Sequence, residues 1–217
     1  MDFLKPTIGN QVKHILIILI SLFSLTILSC AKKSSTSSSS TTDNTTTAYD
    51  GTYNSVCPSN EQRKYTRVFS GTNMKLITKD YNEDGCSTRE GEHVSYSTFT
   101  LGDNVTVTKN SDNSSVSAQK ITITKKRHTY MFMKDSDTNS ANSTSACGFS
   151  DWETNVAKDI SSGINQSGCA SDVTAIGTVD KTVILMIGSN LWMGDLSGSK
   201  DSDNFTATIK DTEMDKE

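Results

Sequence analysis

Val105-Thr-Val-Thr108, Ile121-Thr-Ile-Thr124 and Phe205-Thr-Ala-Thr-Ile209 share one rhythm, an apolar side chain alternating with threonine. Successive side chains of a strand point to opposite faces, so a period of two gives each segment one face for a core and one for water. Threonine suits the wet face, because its branched carbon fits the pleat while its hydroxyl meets solvent. The same composition runs through the chain: Ser and Thr make up more than a quarter of the residues, and Pro occurs twice.

Working outward, further strand-like segments are Gly51 to Cys57, Arg63 to Phe69, Asn73 to Tyr81, Glu92 to Leu101, Thr129 to Lys134, Val173 to Thr178, Thr182 to Ile187 and Asn190 to Leu196. Turn-forming residues separate them at Ser70-Gly71-Thr72, Gly102-Asp103-Asn104, Val179-Asp180-Lys181 and Gly188-Ser189. Lys125-Lys126-Arg127-His128, the one dense basic run, is expected to be a solvated hairpin turn. About ten short strands in meander order predict an all-β antiparallel barrel, with a β-sandwich as the alternative. Ser150-Asp151-Trp152-Glu153 spells a capping box, which predicts one short helix to about Ser161, ended by Gly163. Trp152, Val156 and Ile160 would form its apolar stripe, laid against the sheet.

The start of the chain has a different character. Lys5 and Lys13 precede fourteen nearly unbroken apolar positions, Ile15 to Leu28, too short for the ~20 residues that cross a bilayer but suited to an export signal. Ile27-Leu28-Ser29-Cys30 follows and resembles the lipobox of bacterial lipoproteins. That resemblance implies a signal peptide over residues 1–29, cleavage before Cys30, and lipidation of Cys30 by diacylglycerol and a further acyl chain such as palmitate. Ala31, rather than an acidic residue, after the cysteine implies an outer-membrane address in the cell envelope. Residues 31–48 hold six Ser and six Thr with no large apolar side chain, so residues 30–48 are expected to be a flexible tether. The domain then spans residues 49–210, and the polar residues 211–217 are expected to be a disordered tail.

With Cys30 given to lipid, Cys57, Cys86, Cys147 and Cys169 form an even set in an oxidising compartment. Four cysteines allow three pairings. Local pairing, Cys57 with Cys86 and Cys147 with Cys169, matches the division of the chain into an early set of strands and a later insert. No pair is spaced C-x-x-C, so neither a zinc site nor a redox dithiol is signalled.

Gly51-Thr52-Tyr53 opening the first strand, Cys57 four residues on, Tyr81 to Cys86, the Cys-bracketed Trp152 segment and Asn190-Leu-Trp-Met-Gly-Asp-Leu196 together resemble small bacterial lipoproteins with lipocalin-like barrels. The resemblance implies a lipocalin-like β-barrel over most of residues 49–209.

The mature part carries 19 Lys and Arg against 24 Asp and Glu once Asp2, Lys5 and Lys13 are removed with the signal. That balance argues against a nucleic-acid partner, which needs a concentrated basic face. No G-x-S-x-G, H-E-x-x-H or phosphate-binding glycine loop is present, so neither a catalytic centre nor a cofactor is expected. His93 and His128 are expected to be ordinary surface histidines. Asp80-Tyr-Asn82-Glu-Asp84-Gly85 matches the first six positions of a calcium loop, but the closing position is Gly91 and Met74 to Lys79 is a strand pattern, not a helix. Asp80, Asn82 and Asp84 are therefore weak metal candidates, and a turn ahead of Cys86 accounts for them. Two functions follow as expectations. The first is binding of a small apolar ligand, with Met131, Phe132, Met133, Ile184, Met186, Trp192 and Met193 lining the cavity. The second is a surface interaction module, an adhesin or an inhibitor of an extracellular enzyme, working through a loop from Asp135 to Ala146.

Overall fold

The structure is a computed structural model that describes residues 47–57, 61–169, 173–210 and 213–217. The expected signal, Cys30 and the tether up to residue 46 lie outside the described residues. Residues 43–217 form one compact unit.

The alternating segments become strands β1 (Gly51–Ser55), β2 (Arg63–Ser70), β3 (Asn73–Tyr81), β4 (Arg89–Lys109), β5 (Ser115–Phe132), β6 (Lys158–Asp159), β7 (Val179–Ile187), β8 (Asn190–Met193), β9 (Thr208–Ile209) and β10 (Met214–Lys216). Eight of them close a ring of antiparallel neighbours, β1-β2-β3-β4-β5-β7-β8-β10 and back to β1, so the all-β barrel is the fold and the sandwich is not. Closure removes the sheet edges that an open meander would expose. Strand β6 adds to β5, and β9 pairs in parallel with β4.

Strands β4 and β5 are 21 and 18 residues long, and the register slips between Tyr96 and Ser97 and again between Leu101 and Asn104. Gly102-Asp103-Asn104 is thus a bulge inside one strand, not a turn between two. The basic run is also no turn. Ser97 pairs with Lys125 and Tyr96 with Arg127, so Lys126 is skipped. The extra residue shifts the alternation, and Lys125 and His128 both turn inward while Lys126 and Arg127 stay exposed. Val179-Asp180-Lys181 likewise begins β7, because its backbone pairs with Ile123 and its neighbours. Val173 to Thr178 forms no strand; Gly177 takes φ 85° in a turn there.

The helix lies elsewhere than expected. Helix α1 covers Asp135–Thr144, the stretch expected to be a loop, and Ser150 to Ser161 is not helical. The backbone of the Trp152 segment is bonded to other elements: Asn142 Oδ1 accepts from the Trp152 N–H at 2.7 Å, Asn142 Nδ2 donates to the Trp152 carbonyl at 3.0 Å, and Asn155 N–H donates to Phe132 O. Asn155 sits at φ 62°, which ends any helix there. Trp152 and Ile160 are nevertheless buried, against Tyr130, Phe132, Ala141 and Val173, while Val156 is 49% exposed. The expected disordered tail is also corrected in part. Met214 to Lys216 close the barrel, pairing with Ser55 to Tyr53, because Met214 supplies an apolar side chain that is 1% exposed.

Two disulfides join Cys57 to Cys86 and Cys147 to Cys169. The main core lies inside the ring, where Tyr53, Phe69 and Phe99 meet edge to face and Ile121, Ile184 and Leu191 complete it. A third cluster, Val107, Ala118, Val183 and Ile209, lies on the opposite face of the same strands.

Candidate functional site

The interior of the ring is not apolar throughout. Between the main core and the Trp152 cluster lies a polar band built from inward positions of β3, β4, β5 and β7. Lys125 pairs with Asp180 at 3.1 Å, and Ser95 and Ser97 bury hydroxyls that find no partner among the described residues. His128, 1% exposed, stacks on His93 with a 3.0 Å contact from Nδ1 to the Nε2 of His93. Neither is the surface histidine expected from sequence. Burial holds the His128 imidazole below its ordinary pKa, and the Lys125 ammonium pushes in the same direction. The Tyr130 phenol next along β5 is pushed up to about 12 by burial.

A cavity of about 290 Å³ opens off this interior beside the seam between β8 and β10. Strands β8 and β10 share one registered pair, Leu191 with Met214, so little backbone bonding closes the ring there. The lining comes from Ser55, Val56, Glu61, Tyr65, Arg67, Leu76, Met193, Gly194, Lys210 and Met214. Tyr65, Arg67 and Phe69 alternate on β2 and face inward together, with Arg67 registered between Tyr53 on β1 and Leu76 on β3. The Arg67 Nη1 donates to the thioether of Met214 at 2.7 Å. Burial lowers the guanidinium pKa to about 10, far enough above neutrality that the group stays charged. Sulfur is a weak acceptor, so this contact does little to replace the hydration a cation loses.

A second pocket of about 240 Å³ lies at the Trp152 cluster, between Tyr130, Phe132, Trp152, Ile160 and the Cys147–Cys169 disulfide, and no charged side chain lines it.

Of the residues expected to line a cavity, Met193 lines the first pocket and Phe132 the second. Ile184 is solid core with Met186 packed on it, Trp192 packs against the third cluster, and Met131 and Met133 line neither. Asp80, Asn82 and Asp84 are not gathered into a site. The Asp80 carboxylate is bound by Arg63 at 2.9 Å, and the Asn82 N–H donates to Thr88 O. Among the described residues no group of three or more His, Cys, Asp and Glu is placed to hold a metal ion.

Sequence reasoning missed Arg67, Tyr65 and Lys210. A signal for the first two was present: in Arg63-Lys-Tyr-Thr-Arg-Val-Phe69 the inward set that contains Phe69 also contains a cation. In comparisons with known proteins, no family model and no curated protein matches this chain.

Proposed function

We propose that the mature protein is anchored in the outer membrane by acyl chains on Cys30, palmitate among them, and that its barrel binds a small, mainly apolar molecule in the cavity beside Arg67. The observation that carries the binding reading is the cavity itself. A densely packed eight-stranded barrel has an interior just wide enough for its own side chains, yet here about 290 Å³ stays open. That volume sits at the low end of ligand pockets, which run from ~300 to ~1,000 Å³. Its wall mixes Val56, Leu76, Met193 and Met214 with a few polar groups, the pattern by which such sites combine affinity with orientation. The lipid anchor is supported by the apolar run before Cys30 and by the lipobox residues. The alternative of a surface interaction module drew on a mobile loop from Asp135 to Ala146; the helix there, clamped to Trp152 through Asn142, removes that support.

Native mass spectrometry of the protein recovered from its own cell envelope tests the binding reading. A small-molecule adduct released on mild activation is expected; protein of bare mass throughout, or one held by another protein, contradicts it. Radiolabelled palmitate tests the anchor, with incorporation lost in Cys30→Ser and undiminished label refuting it.

A further inference from the structure

Arg67 is a cation set into the wall of a cavity, with no counter-ion among the described residues. Among the described residues it forms no ion pair, and the one ionisable neighbour that acts on it is the Tyr65 phenol. Glu61 lines the same cavity but makes no ion pair with it. The contrast with Lys125 is informative, since that interior cation has Asp180 at 3.1 Å. Lys210, the other cation of the lining, acts on the nearby Asp195 carboxylate. Among the described residues of the lining, the Arg67 guanidinium therefore stays uncompensated, with a planar set of donors of which a thioether occupies one.

We propose that the cavity takes an amphiphilic monoanion, its acidic head held by Arg67 and a short apolar chain covered by Leu76, Met193 and Met214. This rests on the ligand-binding reading above and adds the chemical class. Guanidinium is the side chain best matched to a planar carboxylate, because two parallel N–H groups meet two oxygens. Replacing lost hydration with such a head turns a costly apo arrangement into a recognition element. Size agrees with a short chain: at ~30 Å³ for each water-sized unit, the cavity has room for about ten heavy atoms. The second pocket, with no charged lining, offers nothing to an anion and serves as the internal contrast.

Octanoate, 1-octanol and octylamine share a chain and differ in the charge of the head, so titration calorimetry of residues 43–217 with each at pH 7 separates head from chain. Octanoate is expected to bind at least tenfold more tightly than octanol, and octylamine more weakly than either. Arg67→Met should erase the octanoate preference while leaving octanol affinity within about threefold, and Arg67→Lys, which keeps the charge but loses the fork, should fall between. Equal binding of octanoate and octanol by the native domain overturns the anion assignment and leaves the cavity reading standing. Binding of none of the three overturns both. A preference that survives in Arg67→Met, or in Arg67→Lys without loss should the methionine variant not fold, places the anion elsewhere and refutes the role of Arg67.

Discussion

Replacing Arg67 with methionine should stabilise the ligand-free domain, an unusual direction for a substitution in a barrel wall. Burial lowers the guanidinium pKa on folding to about 10, more than two units below its ordinary value. At ~1.36 kcal/mol per pKa unit this corresponds to a cost of about 3 kcal/mol for keeping the charge inside. The side chain is partly open to the cavity, so solvent reduces the figure, and a gain of about 1–2 kcal/mol is the expectation. Methionine has similar reach and would pack on Met214 and Leu76. For a domain of this size each kcal/mol moves the melting temperature by ~2–4 °C, giving a rise of about 2–8 °C. The pH dependence supplies a second check. A base whose folded pKa is depressed destabilises the fold wherever it is charged, and stability recovers only as pH rises through the interval from the folded to the unfolded value. That interval begins at about pH 10, so the difference between variant and native melting temperatures should be flat from pH 5 to 9. Calorimetric melts across that range read both quantities. A melting temperature lowered in the variant would mean that Arg67 holds the barrel together, and the reasoning would be refuted.

The polar band and the second core give further expectations. Trp152, 4% exposed, donates through Nε1 to the carbonyls of Ala146 and Phe149 and meets Phe132 edge to face, so Trp152→Ala should cost about 3–5 kcal/mol in denaturant melts. A loss under 1 kcal/mol would show that this end of the barrel is not packed as described. Lys125→Met leaves the Asp180 carboxylate alone in the interior and should cost about 2–4 kcal/mol, and adding Asp180→Leu should recover more than half. Additive losses would contradict the pairing. His128 has a depressed pKa in the fold, so the unfolded chain takes up the proton first on acidification. Stability should therefore fall as pH drops from about 6.5, and His128→Gln should flatten that slope, whereas an unchanged slope assigns the acid sensitivity to other groups.

What was legible in the sequence is what period-two alternation encodes. The Val105 and Ile121 segments announced strands because each alternates a buried and a wetter face, and the number and order of such segments announced a barrel, although Phe205 to Ile209 supplies only the two-residue β9. The local cysteine pairing was legible for the same reason, since each pair closes its own part of the chain. Alternation carries no record of a bulge, however. One extra residue at Lys126 converts a run of four polar residues from an apparent turn into a strand with two of them inside, and no local signal distinguishes the cases. The helix was misplaced because a capping box is only a local preference, and here Asn142 and Phe132 take the backbone bonds that a helix through Trp152 would need. The strand at Met214 depends on pairing with Ser55, 159 residues earlier, which a polar composition conceals. Arg67 was overlooked because cations are expected on the wet face of a strand, and only ring closure shows which face is wet.

The most direct measurement of the binding claim is the methyl spectrum of residues 43–217 carrying ¹³C-labelled methionine, titrated with octanoate. Six methionines report from distinct places: Met193 and Met214 line the cavity beside Arg67, Met74 and Met186 belong to the main core, Met131 lies near the C-terminal end of β5 and Met133 just beyond it. Saturable shifts of the Met193 and Met214 methyls, with Met131 and Met133 unmoved, are the predicted result. A spectrum that does not change, or one in which only Met131 and Met133 respond, would contradict a ligand site in that cavity.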